Sequence, residues 1–288
     1  MACAYRLPGR AAEAEGALGA ALWDAGCEAL LEDGDDLVAV FGEAAPAVPP
    51  GDAPDHTLSG PPSGPPAVPP GGRWEAVDER DHVAAYFEGL DAVTVGRVVV
   101  APTHRQALLE AGQTVLWLDP GMAFGTGHHE TTRLALAALA DPGLDLRAKC
   151  VLDVGSGSGL LAIAADRLGA AEALGVDIDP ITLSIARTNA DLNRSRARFE
   201  VSDFAAAPPP QGSVDVLVAN LFAELHVAFM DAYARALAPG GHAFLTGILA
   251  GKEGSVEAAL PATLRLVRRE RDGEWWLLAL ERTPDGEP

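Results

Sequence analysis

From residue 150 onward, short unbroken apolar runs alternate with segments of helical character. The runs predict strands at Cys150–Val154, Ala173–Val176, Ala197–Val201, Val214–Ala219 and His242–Ile248, with helices between most of them. Two further strands, Leu264–Glu270 and Trp275–Leu280, flank Asp272-Gly273 and predict an antiparallel hairpin. Such alternation marks a mainly parallel sheet. Ahead of it, Glu79 to Gly89 predicts a helix, Val93 to Val100 a strand, and Arg133 to Leu139 another helix. The start of the chain reads β-α-β-β: a strand over Cys3–Leu7, an alanine-rich helix over Ala11–Asp24 stopped by Gly26, then strands Glu28–Glu32 and Leu37–Phe41 around Asp33-Gly34-Asp35-Asp36.

Residues 44–72 contain ten of the 22 prolines and five glycines, a composition that no packed element tolerates. The expected organisation is therefore a small α+β domain over 1–43, a linker or loop over 44–72, a linking helix and strand over 73–103, and a large domain over 104–288.

Val151-Leu-Asp-Val-Gly-Ser-Gly-Ser-Gly159 reads as a buried strand running into a glycine turn, and Gly175-Val-Asp177 as a second strand ending on a carboxylate. Strand, glycine turn, helix and an acid-tipped strand form one half of a nucleotide-binding crossover. Glycines let the backbone approach a ligand that a Cβ would strike, and the acid is placed to accept from ribose hydroxyls. Gly155, Gly157 and Gly159 alternate as G-x-G-x-G, not the dinucleotide G-x-G-x-x-G. That form is typical of S-adenosylmethionine methyltransferases, whose ligand has a ribose but no phosphate. The expected fold is α/β: a seven-stranded Rossmann-like class I methyltransferase domain beside the small α+β domain.

Pro120 to Thr132 is a glycine- and threonine-rich loop ahead of a helix. It suits a carboxylate or the covering of a cofactor, or else Thr131 and Thr132 merely cap the helix. His128 and His129 are adjacent and lack spaced Cys or Asp companions, so no metal is expected. Asn220 sits at the tip of the fourth strand, where ligands of open α/β sheets bind. Its amide oxygen, or a nearby backbone carbonyl, would orient an amine. Enzymes that methylate planar base nitrogens often follow this residue with Pro-Pro-Tyr; here Leu221-Phe222 follows, which favours a non-planar amine. Glu224 and His226, at the next helix start, are both open as acceptor-side residues. Trp275 and Trp276 should face opposite sides of their strand as packing residues.

The chain is 48% hydrophobic over 288 residues, enough for one large core and a smaller module. No apolar run is long enough to span a membrane, and no signal peptide is expected. Cys3, Cys27 and Cys150 form no metal or disulfide framework, which fits a reducing cytoplasm. Net charge is −20, and residues 1–72 hold eleven acids against Arg6 and Arg10. That argues against nucleic-acid binding and suits a basic protein partner.

From about Val93 onward the chain resembles the bacterial methyltransferases of ribosomal protein L-eleven. The resemblance rests on Phe124-Gly-Thr-Gly-His-His-Glu-Thr-Thr132, Val151–Gly159, Gly175–Pro180 and Val218-Ala-Asn-Leu221. It implies that Thr132, Gly155, Asp177 and Asn220 contact S-adenosylmethionine, with Gly157 and Gly159 in the same turn, and that the N-terminal domain captures the ribosomal protein. The implied reaction methylates lysine ε-amines and the N-terminal α-amine of that protein, in a monomer. Other readings are an S-adenosylmethionine enzyme acting on another amine or on RNA, a non-catalytic module that binds the cofactor and docks on ribosomes, and an NAD-dependent oxidoreductase.

Overall fold

The computed structural model describes residues 3–10, 18, 22, 27, 29–33, 35–41, 68–76, 91–103, 111–118 and 129–284. Contacts divide the chain into two units, 1–89 and 90–288.

In the first unit, β1 (Cys3–Leu7), β2 (Ala29–Asp33), β3 (Asp36–Phe41) and β4 (Arg73–Ala76) form an antiparallel sheet in the order β2-β3-β1-β4. The acidic turn joins β2 to β3 as expected, with Asp33 opposite Asp36. β4 was not anticipated. It pairs with β1, so a cut after residue 72 would divide this sheet. The end of the proline-rich stretch is pinned to it: the Tyr5 hydroxyl donates to the Pro69 carbonyl (2.8 Å) and accepts from the Gly72 N–H (3.0 Å). The predicted helices over 11–24 and 79–89 fall largely or wholly outside the described residues, as do residues 44–67.

The second unit opens with a small sheet of β5 (Val93–Val95), β6 (Val98–Pro102) and β7 (Thr114–Leu118). The single strand expected over Val93–Val100 is a hairpin instead. Gly96, at φ +54°, takes the left-handed turn that a side chain resists, and Val93 pairs with Val100. β7 had no clear signal in the sequence; it runs parallel to β6 and is held by Asn193, whose amide oxygen accepts from the Trp117 N–H (2.7 Å) and whose amide nitrogen donates to the Trp117 carbonyl (2.6 Å).

The main sheet contains β8 (Cys150–Val154), β9 (Glu172–Asp177), β10 (Arg198–Val201), β11 (Val214–Asn220), β12 (Leu237–Leu249), β13 (Leu264–Asp272) and β14 (Trp275–Arg282). Their order is β10-β9-β8-β11-β12-β14-β13; the first five are parallel and β14 inserts antiparallel between β12 and β13. This is the anticipated seven-stranded methyltransferase sheet. β11 shows why its strands read as continuous apolar runs: Val216 and Val218 enter the core on one face, Leu217 and Ala219 the core on the other. Trp275 and Trp276 divide between the same two faces. The first core is covered by α1 (Glu130–Leu139), α2 (Leu160–Arg167) and α3 (Pro180–Leu192), the second by α4 (Ala223–Ala236) and α5 (Glu253–Ala258). No helix among the described residues is long and apolar enough to cross a membrane.

Candidate active site

The carboxyl ends of β8, β9 and β11 enclose a cleft of about 450 Å³. Strand order reverses between β8 and β11, the place where open α/β sheets bind ligands. Gly155 and Gly157, at positive φ (+75° and +48°), line it together with Asp177, Asn220 and Thr132. Val154, Leu161, Val176, Phe204, Leu225 and Phe229 supply apolar wall. Asp177 holds the glycine turn shut: its Oδ2 accepts from the Gly157 N–H at 2.8 Å and its Oδ1 from the Asp179 N–H at 3.0 Å. Each carboxylate oxygen keeps lone-pair capacity for a further donor.

Gly159 is not part of the cleft wall. A Cβ there would stand 2.8 Å from the Phe199 ring and 2.9 Å from Ala186 Cβ, so this glycine lets α2 pack beside α3 and β10. Gly159→Ala combines that overlap with φ +81°. It should destabilise the protein by about 2–4 kcal/mol in urea unfolding, while ligand affinity in the folded fraction changes little. A selective loss of affinity instead would return Gly159 to the binding set.

The two threonines of α1 have distinct roles, and neither caps it. The cap is His129, whose Nδ1 accepts from the Thr131 N–H (3.3 Å), so the helix begins three residues before the expected Arg133. Thr131 receives a hydrogen bond from Asn220 Nδ2 (3.1 Å). Thr132 is 1% exposed, and its hydroxyl, which borders the cleft, has no partner among the described residues. A buried polar group is rarely left unpaired, and a ligand group in the cleft would satisfy it. His128 lies outside the described residues.

The segment after β11 is braced from behind. The Thr246 carbonyl accepts from the Leu221 N–H (3.0 Å) and from His226 Nε2 (2.8 Å). Gly247, at φ +84° in a register shift of β12, leaves room for the Leu221 backbone. Its only trace in the sequence is a glycine within a strand pattern. His226 is fully buried, and burial lowers its pKa to about 4. It is thus a neutral structural histidine, not an acceptor-side group. Glu224 is 68% exposed and paired to Lys252 Nζ at 2.9 Å, which lowers its pKa.

With the cleft in place, the relation to known proteins can be read. The family model described as "Ribosomal protein L11 methyltransferase (PrmA)" matches residues 68–283. The chain belongs to this family. The L11 methyltransferase of Deinococcus radiodurans is 42% identical over 290 residues, 96% of this chain and 98% of its own. That of Thermus thermophilus is 49% identical over 216 residues, 73% of this chain and 81% of its own. The crystal structure of a ribosomal protein L11 methylase from Lactobacillus delbrueckii subsp. bulgaricus superposes with a TM-score of 0.61 at 29% identity, covering 67% of this chain and all of that one. The methyl donor is S-adenosylmethionine. The cleft fits it: left-handed glycines along its wall, a buried Thr132 hydroxyl with no partner among the described residues, apolar wall and a carboxylate at the strand tip.

Beneath the glycine turn lies Asp153, which sequence reasoning did not single out as functional. It is 1% exposed; its Oδ2 accepts from the Ala162 N–H at 3.2 Å and its Oδ1 has no partner among the described residues. Burial, aided by the charge of Asp177, raises its pKa to about 7. The folded protein therefore keeps a proton on Asp153 that the unfolded chain has released above pH 3.8, and this stabilisation is lost as pH rises through 7. His226 acts in the opposite sense: its contribution is present above 6.5 and lost as pH falls through 4. Between these limits the two slopes, each about 1.4 kcal/mol per pH unit, offset one another. Asp153→Asn should unmask His226, so that stability measured in urea rises with pH from 4 to 6.5. An unchanged profile would show that Asp153 ionises normally in the fold.

Proposed function

We propose that this member of the family transfers methyl groups from S-adenosylmethionine to lysine ε-amino and N-terminal α-amino groups of ribosomal protein L11. The observation that carries this reading is Asn220: a neutral amide at the cleft, tied through its nitrogen to Thr131, with Leu221-Phe222 in place of a planar-base platform. The bound donor supplies an already activated methyl group, so the protein chiefly aligns the acceptor for in-line displacement. Gly155, Gly157 and Asp177 fix the donor's nucleoside portion, with the Thr132 hydroxyl satisfied by another of its polar groups. Asn220 Oδ1 would accept an N–H of the incoming amine and so turn the amine's own lone pair toward the methyl group, whose bond to sulfur would break as S-adenosylhomocysteine leaves. The amine must be neutral, and lysine begins near pKa 10.4; the apolar cleft wall favours that form by desolvation. Phe222, 70% exposed beside Asn220, offers apolar surface to a lysine stem.

The acidic N-terminal unit suits a basic protein, and the net charge of −20 disfavours RNA as a substrate. The test is incubation with labelled S-adenosylmethionine and either purified L11 or ribosomal RNA, followed by peptide mapping. Label on lysine side chains and the α-amine of L11 is the expected result. Label on RNA, or on other side chains alone, would overturn the reading.

A further inference from the structure

We infer that Thr131 is a positioning residue for methyl transfer: through its hydroxyl it fixes which end of the Asn220 amide faces the acceptor amine. This rests on the assignment of Asn220 to the acceptor side made above. The two orientations of an amide have almost the same shape but opposite hydrogen-bonding character. One presents an acceptor to the incoming amine; the other presents N–H groups that repel it. Something must choose between them, and the chain of contacts behind Asn220 does so.

The choice begins at His129. The Thr131 backbone N–H can only donate, and it points at His129 Nδ1 at 3.3 Å, so that nitrogen is an acceptor. Thr131 Oγ1 lies 2.8 Å from the same nitrogen, and its proton is therefore directed there. The hydroxyl then has only lone pairs left for its other neighbour. That neighbour is Asn220, whose Nδ2 stands 3.1 Å away and donates to it. Rotating the amide would set Oδ1 against those lone pairs with no proton between them. Thr131 is 1% exposed, so water does not stand in for the missing donor. With Nδ2 committed to Thr131, Oδ1 is the end left for the cleft that Asn220 lines. A loop histidine, a helix threonine and a strand-tip asparagine thus form one directional relay, each fixing the polarity of the next.

Thr131→Val keeps the shape and deletes the hydroxyl; Thr131→Ser keeps the hydroxyl. The valine variant should lower kcat on L11 about tenfold, the worth of one hydrogen bond, with KM and S-adenosylmethionine affinity nearly unchanged, and serine should restore kcat. In an Asn220→Ala background, Thr131→Val should have no further effect on kcat, because its influence passes through the amide. A signal independent of turnover is the side-chain amide resonance of Asn220 in a nitrogen-labelled sample, expected to shift in the valine variant and return in the serine one. Asn220→Asp gives a second route if valine prevents folding. It presents an acceptor oxygen whichever way it turns, so no relay is needed to choose an end, and kcat should stay well above that of Asn220→Ala. Full activity in Thr131→Val, equal losses with and without Asn220, or a kcat in Asn220→Asp as low as in Asn220→Ala would each overturn the relay. Wild-type kcat in Asn220→Ala itself would instead overturn the acceptor-side assignment.

Discussion

Asp177→Ala is expected to bind S-adenosylmethionine about 10- to 100-fold more weakly, with the main sheet still folded. The carboxylate stands at the end of β9, and both of its oxygens already accept backbone N–H groups, from Gly157 and Asp179. It therefore has two tasks in binding. It keeps the glycine turn in its ligand-ready form, and it offers remaining lone pairs to ribose hydroxyls. A hydrogen bond to a charged group is worth about 1.5–3 kcal/mol, which corresponds to that range of affinity. Calorimetry on the variant and on Asp177→Asn separates the two tasks, since asparagine retains one acceptor oxygen and should lose less. Equal affinity in wild type and alanine variant would remove Asp177 from the ribose contact.

The other large effect concerns the N-terminal unit. A protein beginning at Leu90 is expected to bind S-adenosylmethionine normally and to methylate L11 with kcat/KM lowered about 100-fold or more, the usual scale for losing one of two linked contacts. All the cleft residues lie in the second unit, and residues 1–89 hold sixteen acids against four arginines. The loss should fall on KM. The salt dependence of the intact enzyme, whose exposed charges are screened over about 8–10 Å, should be largely absent from the truncated one. A truncated enzyme as efficient as the full chain would show that residues 1–89 do not recognise the substrate. The cut belongs after residue 89, because β4 is a strand of the N-terminal sheet.

The main sheet was legible because its strands are buried on both faces and so read as uninterrupted apolar runs. Cys150–Val154 was placed to the residue, and β11 extends the expected run by Asn220 alone. β5 and β6 merged into one expected strand because Gly96-Arg97 is not a turn pair with a strong signal. β7 and β4 are short, and their pairing is decided by distant partners, Asn193 and Tyr5 among them. The same distinction holds at the cleft. Glycine spacing and the acid at the strand tip announce themselves locally, so Gly155, Gly157 and Asp177 were singled out, and all three line the cleft. The division of labour between Thr131 and Thr132 was not, because it depends on contacts with residue 220, far along the chain. Gly159 was grouped with the turn by its spacing, whereas its neighbours Phe199 and Ala186 are tertiary.

β14 holds the antiparallel side of the sheet together. β13 has no partner in the main sheet other than β14, and β14 alone joins it to β12. Trp275–Arg282 follows both β12 and β13 in the chain, yet it lies between them in the sheet. Until it exists, the flank of β12 is an open row of unpaired N–H and carbonyl groups, and the apolar faces of Leu245 and Ile248 lack their cover. A nascent chain stalled before Trp275 would therefore be sticky and uncommitted. The antiparallel side of the sheet is closed only once β14 is in place.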